Sequence, residues 1–340
     1  MQRRATMSDV AERAGVSRAA VSQVLNGQDW SRVSEAAAER IRAAADELSY
    51  RPNLTARSLR AQKSHVLGFV SEWATTDRHA GGLVRGALRA AKRRGYVLFI
   101  TETEENEEAT QDAVDALIDH QIDGLIYAAT RPRKITLPPR TALIPHVTLN
   151  GLAATEGAGI LPDESTAGQA MGELLLGTLA SPRVAVLGLK LGHPAADPDN
   201  VAVQRRALGI ASAFARHRAT PVAQIDLDPW TVRNGYQAMR QLLSSGHELT
   251  GIICLNDRLA IGAYRAILEA GLRIPDDIAI VSFDGDEIAD DLDPTLTTAA
   301  LPYEQMGDLA VELLLSENGA SGEHLVDMPI RQRGSIARST

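Results

Sequence analysis

Three hydrogen-bonding side chains share one face of a short helix near the start of the chain. In the segment TMSDVAERAGVSRAAVSQVLNG, residues 6–27, the spacing of apolar residues predicts two helices with a turn at Gly15. Arg18, Ser22 and Gln23 then lie on the outer face of the second helix. Such side chains can hydrogen-bond to base edges and phosphates, so the pattern favours a helix-turn-helix. An ordinary helical hairpin fits the spacing equally well.

The ends of these helices carry residues that can cap them. Thr6 and Asp9 form a Thr-x-x-Asp box, which satisfies backbone N–H groups at the start of the first helix. Ser17 stands at the start of the second helix, and Ser34 at the start of a third helix predicted over about residues 34–49. The apolar positions of the three helices would form one small core: Val10, Ala11, Ala14, Val21, Val24, Leu25, Ile41, Ala44, Ala45 and Leu48.

Charge is distributed unevenly along the chain. The net charge is −8, which taken alone argues against a nucleic-acid partner. Residues 1–63, however, carry 11 Lys and Arg against 7 Asp and Glu, whereas the rest of the chain carries 24 against 36. A basic head on an acidic body favours polyanion binding by the head. A chance asymmetry of solvent-facing charges is the alternative.

Several function classes find little support in the sequence. The single cysteine, Cys254, rules out an intrachain disulfide framework and suits a reducing cytoplasm. Residues 1–25 contain no apolar core of a secretory signal, and no run of about 18 apolar residues could span a membrane. The acidic segment 284–293 lacks calcium-loop spacing, and no glycine-rich phosphate loop or nucleophile motif occurs. We therefore expect no metal, no cofactor and no enzymatic activity.

From residue 65 onward, short apolar strands alternate with amphipathic helices. HVLGFVSE and VLFITET are examples of strands in the first half, and RVAVLGL and GIICLND in the second. Such repetition predicts open parallel sheets with helices on both faces, divided into two lobes. Asn150, Asn256 and Asp284 each end one of these strands. Ligands bind such sheets at the carboxyl ends of the strands, where these groups could hold the hydroxyls of a polyol.

The longer motifs resemble one family of proteins. SDVAERAGVSRAAVSQVLNG, IRAAADELSYRPNLTARSLR, NDRLAIGAYRAILEAGLRIPDDIAIVSFD and DPTLTT are similar, in the same order, to segments of the lactose-repressor family of bacterial transcription regulators. The resemblance covers nearly the whole chain. It implies an all-α helix-turn-helix head and a hinge helix, joined to a two-lobed α/β core like that of periplasmic binding proteins. The implied boundaries are 1–50 for the head, 51–63 for the hinge and 64–340 for the core, with lobe 1 at about 64–162 and 293–322 and lobe 2 at about 163–292 and 323–340.

The resemblance assigns DNA contacts to the head and the hinge. Arg18, Ala19 and Gln23 occupy base-reading positions, where Arg can bind guanine, Gln can bind adenine, and Ala can contact only a thymine methyl group. Ala20 stands where many relatives have Thr, so one hydroxyl contact is missing. Leu59 stands where the family has a leucine that wedges into the minor groove, with a plain linker contact as the alternative. The other expected contacts are with phosphates, at Thr6, Ser17, Ser22, Asn26 and Arg57, and in the minor groove, at Asn53, Ala56 and Arg60.

The resemblance also implies an effector in the cleft between the lobes. The expected contacts are polar or aromatic side chains: Asp284, Asn256, Arg206, Trp230, His79 and Asn150. A surface salt bridge is the alternative for Arg206, and packing within the lobe is the alternative for Trp230. The segment EWATTDRHAGG departs from the Asn-Pro-aromatic-aromatic pattern of many relatives and puts His79 where an aromatic residue would stand. Because one wall of the site is altered, the effector cannot be transferred from any relative.

Together these features predict a sequence-specific DNA-binding regulator, with repression as the expected mode. One helix-turn-helix covers few base pairs, so we expect a homodimer on a palindromic operator, with helices of the first lobe supplying much of the dimer surface. The implied effector is a small molecule, a carbohydrate by resemblance, with a nucleoside or another metabolite as the alternative. The implied location is the bacterial cytoplasm, in association with the nucleoid. A solute-binding protein or a sugar-handling enzyme on the same two-lobed fold is the alternative.

Overall fold

The computed structural model of the chain describes residues 5–25, 33–51, 63–72, 80–153, 157–192, 200–316 and 321–336. Two compact units divide the chain, Met1–His65 and Val66–Thr340. Among the helices of the described ranges, none is both long enough and apolar enough to cross a membrane.

The first unit contains the three predicted helices, α1 (Met7–Ala14), α2 (Arg18–Leu25) and α3 (Glu35–Glu47). Thr6 and Asp9 form the predicted capping box. Gly15 ends α1 in the left-handed region, at φ 65°, and its N–H donates to carbonyl groups of the last turn. Ser34 occupies the cap position of α3 as predicted, but its side chain makes no capping hydrogen bond there.

Apolar side chains from all three helices meet in one small core, as their spacing predicts. Val10, Val21 and Ile41 are completely buried in it, one from each helix. On the surface, the guanidinium of Arg13 lies 2.8 Å from the carboxylate of Glu47 and joins α1 to α3. The core fixes the orientation of α2, whose opposite side faces solvent.

The second unit contains two six-stranded sheets, and we call the parts built on them lobe 1 and lobe 2. The lobe 1 sheet has the order β13-β7-β5-β3-β1-β2 and is parallel throughout. The elements of lobe 1 in the first part of the chain are β1 (Val66–Ser71), α4 (Ala80–Arg93), β2 (Val97–Glu102), α5 (Glu107–Asp119), β3 (Gly124–Ala128), β4 (Lys134–Ile135), a short 3₁₀ helix (Pro139–Leu143), β5 (His146–Leu149), β6 (Leu152–Ala153) and β7 (Ala158–Pro162). Strands β4 and β6 pair with each other in a separate two-stranded sheet.

The lobe 2 sheet has the order β14-β12-β11-β10-β8-β9, in which only the edge strand β14 is antiparallel to its neighbour. The remaining elements of the chain are α6 (Glu164–Thr178), β8 (Val184–Gly188), α7 (Val201–Arg216), β9 (Ala223–Asp226), α8 (Val232–Ser244), β10 (Gly251–Cys254), α9 (Asp257–Glu269), β11 (Ala279–Asp284), α10 (Ile288–Asp291), β12 (Thr297–Ala300), α11 (Tyr303–Leu314), β13 (Gly322–Val326) and β14 (Ile330–Arg331). The predicted parallel sheets in two lobes are confirmed.

The described chain crosses between the lobes after β7, after β12 and after β13. The expected lobe boundaries were wrong at the last two crossings. Residues 297–300, expected in lobe 1, form β12 and pair with β11 in lobe 2. Residues 323–326, expected in lobe 2, belong to β13 and pair with β7 in lobe 1. Short apolar strands do not reveal their partners, because strand pairing depends on residues far away in the sequence.

Glycines bring the helix that carries Arg206 close to its neighbour. A Cβ atom on Gly209 of α7 would lie 2.1 Å from the carbonyl oxygen of Ser165. A Cβ atom on Gly168 of α6 would lie 2.4 Å from the carbonyl oxygen of Arg206 itself. Both distances are far below a van der Waals contact, so only glycine allows the two helices to pack backbone to backbone. Helix α7 is therefore held closely against α6.

Candidate functional site

The outer face of α2 is open to solvent over its first turn. Arg18 and Ala19 are exposed, Ser22 and Gln23 are half-buried, and Val21 on the opposite side is completely buried. The helix therefore presents the predicted base-reading residues along one side while its other side is fixed in the core. An arginine and a glutamine on such a face have the donor and acceptor groups that guanine and adenine edges require.

Two hydroxyl groups predicted to contact phosphates also cap helices. The hydroxyl of Thr6 donates to the carboxylate of Asp9 at 2.8 Å and accepts from the Asp9 N–H at 3.3 Å. The hydroxyl of Ser17 accepts from the N–H of Ala20 at 3.2 Å, which leaves its own proton to donate to a phosphate oxygen. Of these two, Ser17 has the better geometry for the predicted contact.

Some predicted contacts lie outside the described residues. They are the DNA contacts Asn26, Asn53, Ala56, Arg57, Leu59 and Arg60 and the effector contact His79.

A buried ion pair in lobe 2 holds Arg206. Its Nε and one terminal nitrogen donate to the two carboxylate oxygens of Glu164, at 2.6 and 2.7 Å, and its other terminal nitrogen donates to the carbonyl of Leu255. Both side chains are at most 5% exposed. The guanidinium also lies over the ring of Phe283, 4.5 Å from its centroid. The alternative of a surface salt bridge is therefore wrong for Arg206, because its partner is buried.

The electrostatic environment of Arg206 keeps it charged. Burial alone would lower the pKa of this guanidinium, but the negative charges of Glu164 and Asp284 outweigh burial and raise the pKa above its ordinary value. A permanently charged, oriented guanidinium at this position can hold a carboxylate or a ligand oxygen next to it.

Asp284 lies beside this pair at the end of β11. One of its carboxylate oxygens is 3.5 Å from a terminal nitrogen of Arg206, and its side chain remains 15% exposed. Its backbone has a φ of 102°, a region that side-chain-bearing residues rarely occupy, and such strain often marks functional positions. Asp284 also lines a cavity of about 690 Å³ to which lobe 1 contributes Gly82, Arg85 and Tyr303. The structure thus brings together two of the predicted effector contacts, at the boundary between the lobes.

Asn256 follows β10 and Trp230 follows β9, two strands of the lobe 2 sheet that are separated by β8. The side-chain oxygen of Asn256 accepts from the N–H of Leu259 at 2.9 Å and caps α9. The indole N–H of Trp230 donates to the carbonyl of Gly188 at 3.0 Å, and the ring packs against the lobe 2 core. Asn256 can therefore offer a ligand mainly its amide N–H groups. Trp230 has the packing role that was the alternative for it, and its predicted ligand contact stays a prediction.

Asn150 lies in lobe 1, directly after β5. Its side-chain N–H₂ group donates to the carbonyls of Ala129 and Thr130, at 3.0 and 3.2 Å. Its side-chain oxygen is buried and, within the described part of the chain, has no hydrogen-bond partner. An amide held in this way presents one acceptor whose hydrogen-bonding capacity is unused.

Asp257, which the sequence analysis did not select, organises the loop after Asp284. Its carboxylate accepts from the hydroxyls of Ser282 and Thr298 and, at 2.7 Å, from the N–H of Asp286. Burial raises the pKa of Asp257, and these hydrogen bonds oppose that shift. The network joins α9 to β11 and β12 and so positions the backbone on both sides of Asp284.

Two further buried carboxylates escaped the sequence analysis. Glu164, the partner of Arg206, is the first residue of α6 and precedes its apolar positions, so no local pattern marks it. In lobe 1, Glu72 follows β1 and is completely buried. A charged residue at the end of an otherwise apolar strand was the available signal for Glu72.

Glu72 receives hydrogen bonds from several donors of its own lobe. Arg133 donates to both carboxylate oxygens, the N–H of Thr130 donates to one at 2.8 Å, and the hydroxyl of Tyr127 donates to the other at 3.3 Å. Burial, and then the charge of Glu72, raise the pKa of Tyr127 to about 12. This group of residues joins the end of β1 to the segment after β3.

Two family profiles match the sequence. One, described as bacterial regulatory proteins of the lacI family, matches residues 6–53. The other, described as a periplasmic binding protein-like domain, matches residues 178–336. The first covers the helix-turn-helix, and the second covers most of lobe 2 together with α11 and β13 of lobe 1.

Similar proteins extend along most of the chain. The ribose operon repressor of Escherichia coli K12 is 31% identical over 314 residues, which cover 92% of each chain. The lactose operon repressor of the same organism is 30% identical over 91% of this chain and 84% of its own. A crystal structure of the lac repressor dimer bound to operator and the anti-inducer ONPF matches with a TM-score of 0.75 at 28% identity, covering 98% of this chain and 100% of that chain. These relatives are named as repressors, not as enzymes.

Proposed function

The chain belongs to the lacI family of bacterial regulatory proteins, and we propose that it represses transcription by binding a palindromic operator as a homodimer under the control of a carbohydrate effector. Family membership makes it a DNA-binding regulator rather than an enzyme or a solute-binding protein. The proposed site of action is the bacterial cytoplasm, at the nucleoid, where such a regulator meets its operator.

The observation that carries the DNA-binding part of the proposal is the orientation of α2. Its apolar side is fixed in the core through Val21, and its outer side presents Arg18 and Ala19 to solvent. We propose that this side enters the major groove, where Arg18 reads guanine and Gln23 reads adenine. Ala19 and Ala20 supply no hydrogen bonds, so base specificity depends mainly on Arg18 and Gln23.

The homodimer part of the proposal is supported by an apolar edge on lobe 1. Strand β2 is the last strand of its sheet. Val97, Phe99 and Ile100 on this strand are all more than 40% exposed, as is Leu88 on the neighbouring α4. An open strand edge carrying large apolar side chains is a surface that proteins normally cover. We propose that a second copy of the chain covers it.

The effector part of the proposal is supported by the surroundings of Asp284. A partly exposed carboxylate beside a buried guanidinium, at a cavity lined by both lobes, can accept hydrogen bonds from ligand hydroxyls while its own position is fixed. Asn256 can add amide N–H donors from the neighbouring strand end. These groups suit a polyhydroxylated ligand, and a carbohydrate is the proposed class.

The experiment that tests the function is operator binding by the native chain and two matched arginine variants, measured with DNA from upstream of its own gene. Arg18→Ala should relax base preference and weaken specific binding by about 1–3 kcal/mol, because one base contact is lost. Arg42→Ala removes an exposed arginine from α3 and should leave base preference unchanged. Unchanged base preference in Arg18→Ala would refute the assignment of α2.

The same assay tests the effector site. A thermal-shift screen of sugars, with nucleosides as the competing class, identifies a ligand, since binding at a hundred times its Kd stabilises the chain by about 2.7 kcal/mol. That ligand should change operator affinity of the native chain. Asp284→Ala should bind the operator normally and lose the response. A variant that still responds would remove Asp284 from the effector site.

A further inference from the structure

We infer that the first turns of α7 form a clasp between the lobes, through which occupation of the effector site changes the orientation of lobe 1. The clasp consists of a backbone hydrogen bond at Val201 and an ion pair at Arg205, both made to residues of lobe 1. The regulatory meaning of this inference rests on the proposed function. The existence of the clasp does not rest on that function, because the distance between the lobes can be measured without DNA or effector.

The first contact lies at the start of the helix. The N–H of Val201 donates to the carbonyl of Pro132 at 2.9 Å. The first N–H groups of a helix have no partner within it, so this bond satisfies one of them with an acceptor from the other lobe. Pro132 itself is held in place, since the adjacent Arg133 is bound to the buried carboxylate of Glu72.

The second contact lies one turn further along. Arg205 donates from both terminal nitrogens to both carboxylate oxygens of Glu323, one of them at 2.9 Å. Glu323 belongs to β13, the edge strand of the lobe 1 sheet. The two side chains are 26% and 33% exposed, so the pair is partly shielded from water. Bidentate geometry with partial burial makes this a stronger contact than a fully exposed ion pair.

The clasp is adjacent to the effector residues on a rigid helix. Arg206, the next residue along α7, holds Glu164 and lies 3.5 Å from Asp284. The glycine contacts between α6 and α7 keep the helix from moving independently of lobe 2. Consecutive residues of one helix thus face the effector site and the other lobe. A ligand that binds Asp284 and Arg206 and also contacts lobe 1 changes the position of lobe 1 relative to α7, and with it the geometry in which Arg205 meets Glu323.

This arrangement gives the lobes two states that differ by defined contacts. In one state both contacts of α7 with lobe 1 are made, and in the other they are broken and water replaces them. A ligand shifts this equilibrium only as far as it prefers one of the two states. The clasp supplies the differential contact that such a preference requires.

The experiment measures the distance between the lobes in the full-length chain. Spin labels are attached at Asp112→Cys in α5 and Gln241→Cys in α8, two exposed positions. The native Cys254 is completely buried, so labelling is selective for the introduced sites. Dilution with unlabelled chain restricts double electron–electron resonance to distances within one subunit.

The native chain should give one narrow distance distribution. Arg205→Ala and Glu323→Gln should each shift or broaden it to the same extent, and the double variant should add no further change. The exchanged pair, Arg205→Glu with Glu323→Arg, should restore the native distribution. The matched control is Arg265→Ala, which breaks an ion pair of 2.8 Å in α9 and a contact with the Tyr236 ring of α8, both inside lobe 2, and should leave the distribution unchanged.

Operator binding provides the regulatory measurement. Arg205→Ala should change the operator Kd by about threefold, whereas Arg265→Ala should not change it. If the distance distributions of Arg205→Ala and Glu323→Gln match that of the Arg265→Ala control, the inference of a clasp is wrong. A changed distribution with an unchanged operator Kd would overturn its regulatory role. Absence of operator binding by the native chain would count against the proposed function and not against the clasp.

Discussion

Each lobe contains a buried carboxylate paired with an arginine near the carboxyl edge of its sheet, and the two pairs differ in what surrounds them. In lobe 1, Glu72 receives donors from Arg133, Tyr127 and Thr130, so both of its oxygens are fully engaged. In lobe 2, it is the arginine that contacts more than one charged partner. Arg206 holds Glu164 with one side of its guanidinium and reaches Asp284 with the other.

The contrast between the two pairs separates a structural ion pair from a binding site. Burial and bidentate geometry are common to both pairs and therefore do not identify a ligand site. What distinguishes lobe 2 is a second carboxylate, Asp284, that remains partly exposed at a cavity between the lobes. The lobe 1 pair lines a smaller cavity, of about 430 Å³, that only lobe 1 surrounds, and the further carboxylate there, Glu105, acts on Arg133 through its charge without forming a described ion pair with it.

The largest effect is expected from breaking the lobe 2 pair. Arg206→Met leaves Glu164, which is 2% exposed, as an unpaired buried charge, and should lower the free energy of unfolding by about 3–5 kcal/mol. Urea unfolding at matched protein concentration measures this loss. Adding Glu164→Gln removes the stranded charge and should recover most of the stability. A loss below about 1 kcal/mol in the single variant would contradict the buried pairing.

A smaller effect is expected from the corresponding change in lobe 1. Arg133→Met removes a side chain that is 26% exposed, and Glu72 keeps its bonds from Thr130 and Tyr127. The expected loss is about 1–3 kcal/mol, measured in the same unfolding assay. If Arg133→Met proved more destabilising than Arg206→Met, the ranking of the two pairs would be reversed.

The smallest effect is expected at Tyr127. Tyr127→Phe removes one hydrogen bond of 3.3 Å to Glu72 and should lower the free energy of unfolding by about 0.5–1.5 kcal/mol. The pKa of Tyr127 is raised from 10.0 to about 12, so the folded state retains the phenol proton more tightly than the unfolded state. Its contribution to stability is therefore complete below pH 10 and is lost as the pH rises through about 12.

Stability measured against pH checks the Tyr127 prediction. The native chain should lose stability through this alkaline range more steeply than Tyr127→Phe does. Tyr236→Phe serves as the control, because its hydroxyl binds an exposed carboxylate, that of Glu269. Equal alkaline slopes in the native chain and in Tyr127→Phe would contradict the assignment.

The features that could be predicted from the sequence are those that depend on neighbouring residues. The capping box of Thr6 and Asp9, the turn at Gly15 and the buried faces of the head follow from contacts three or four residues apart. Alternating strands and helices likewise predict two lobes with parallel sheets. The family resemblance then selected Arg206 and Asp284, which the structure places together.

The features that could not be predicted depend on distant partners. Glu164 and Arg206 are 42 residues apart, and Glu72 and Arg133 are 61 apart. No local pattern connects such residues. The positions of β12 and β13 were misjudged for the same reason, since each pairs with a strand whose identity the local sequence does not encode.

The crossings between the lobes have a consequence for synthesis on the ribosome. Lobe 1 begins at β1, but Met306, Ala310 and Val311 of α11, which supply part of one face of its core, follow almost all of lobe 2. At roughly 5–20 residues per second, synthesis of the intervening segment takes about 7–30 s. During that time only α4 covers this face of the nascent lobe 1 sheet and the part that α11 later covers stays exposed, while most of lobe 2 emerges as one continuous segment. The lobe whose synthesis begins first therefore waits for a helix that is made only after most of the other lobe, and it is the part of the nascent chain most in need of protection from aggregation.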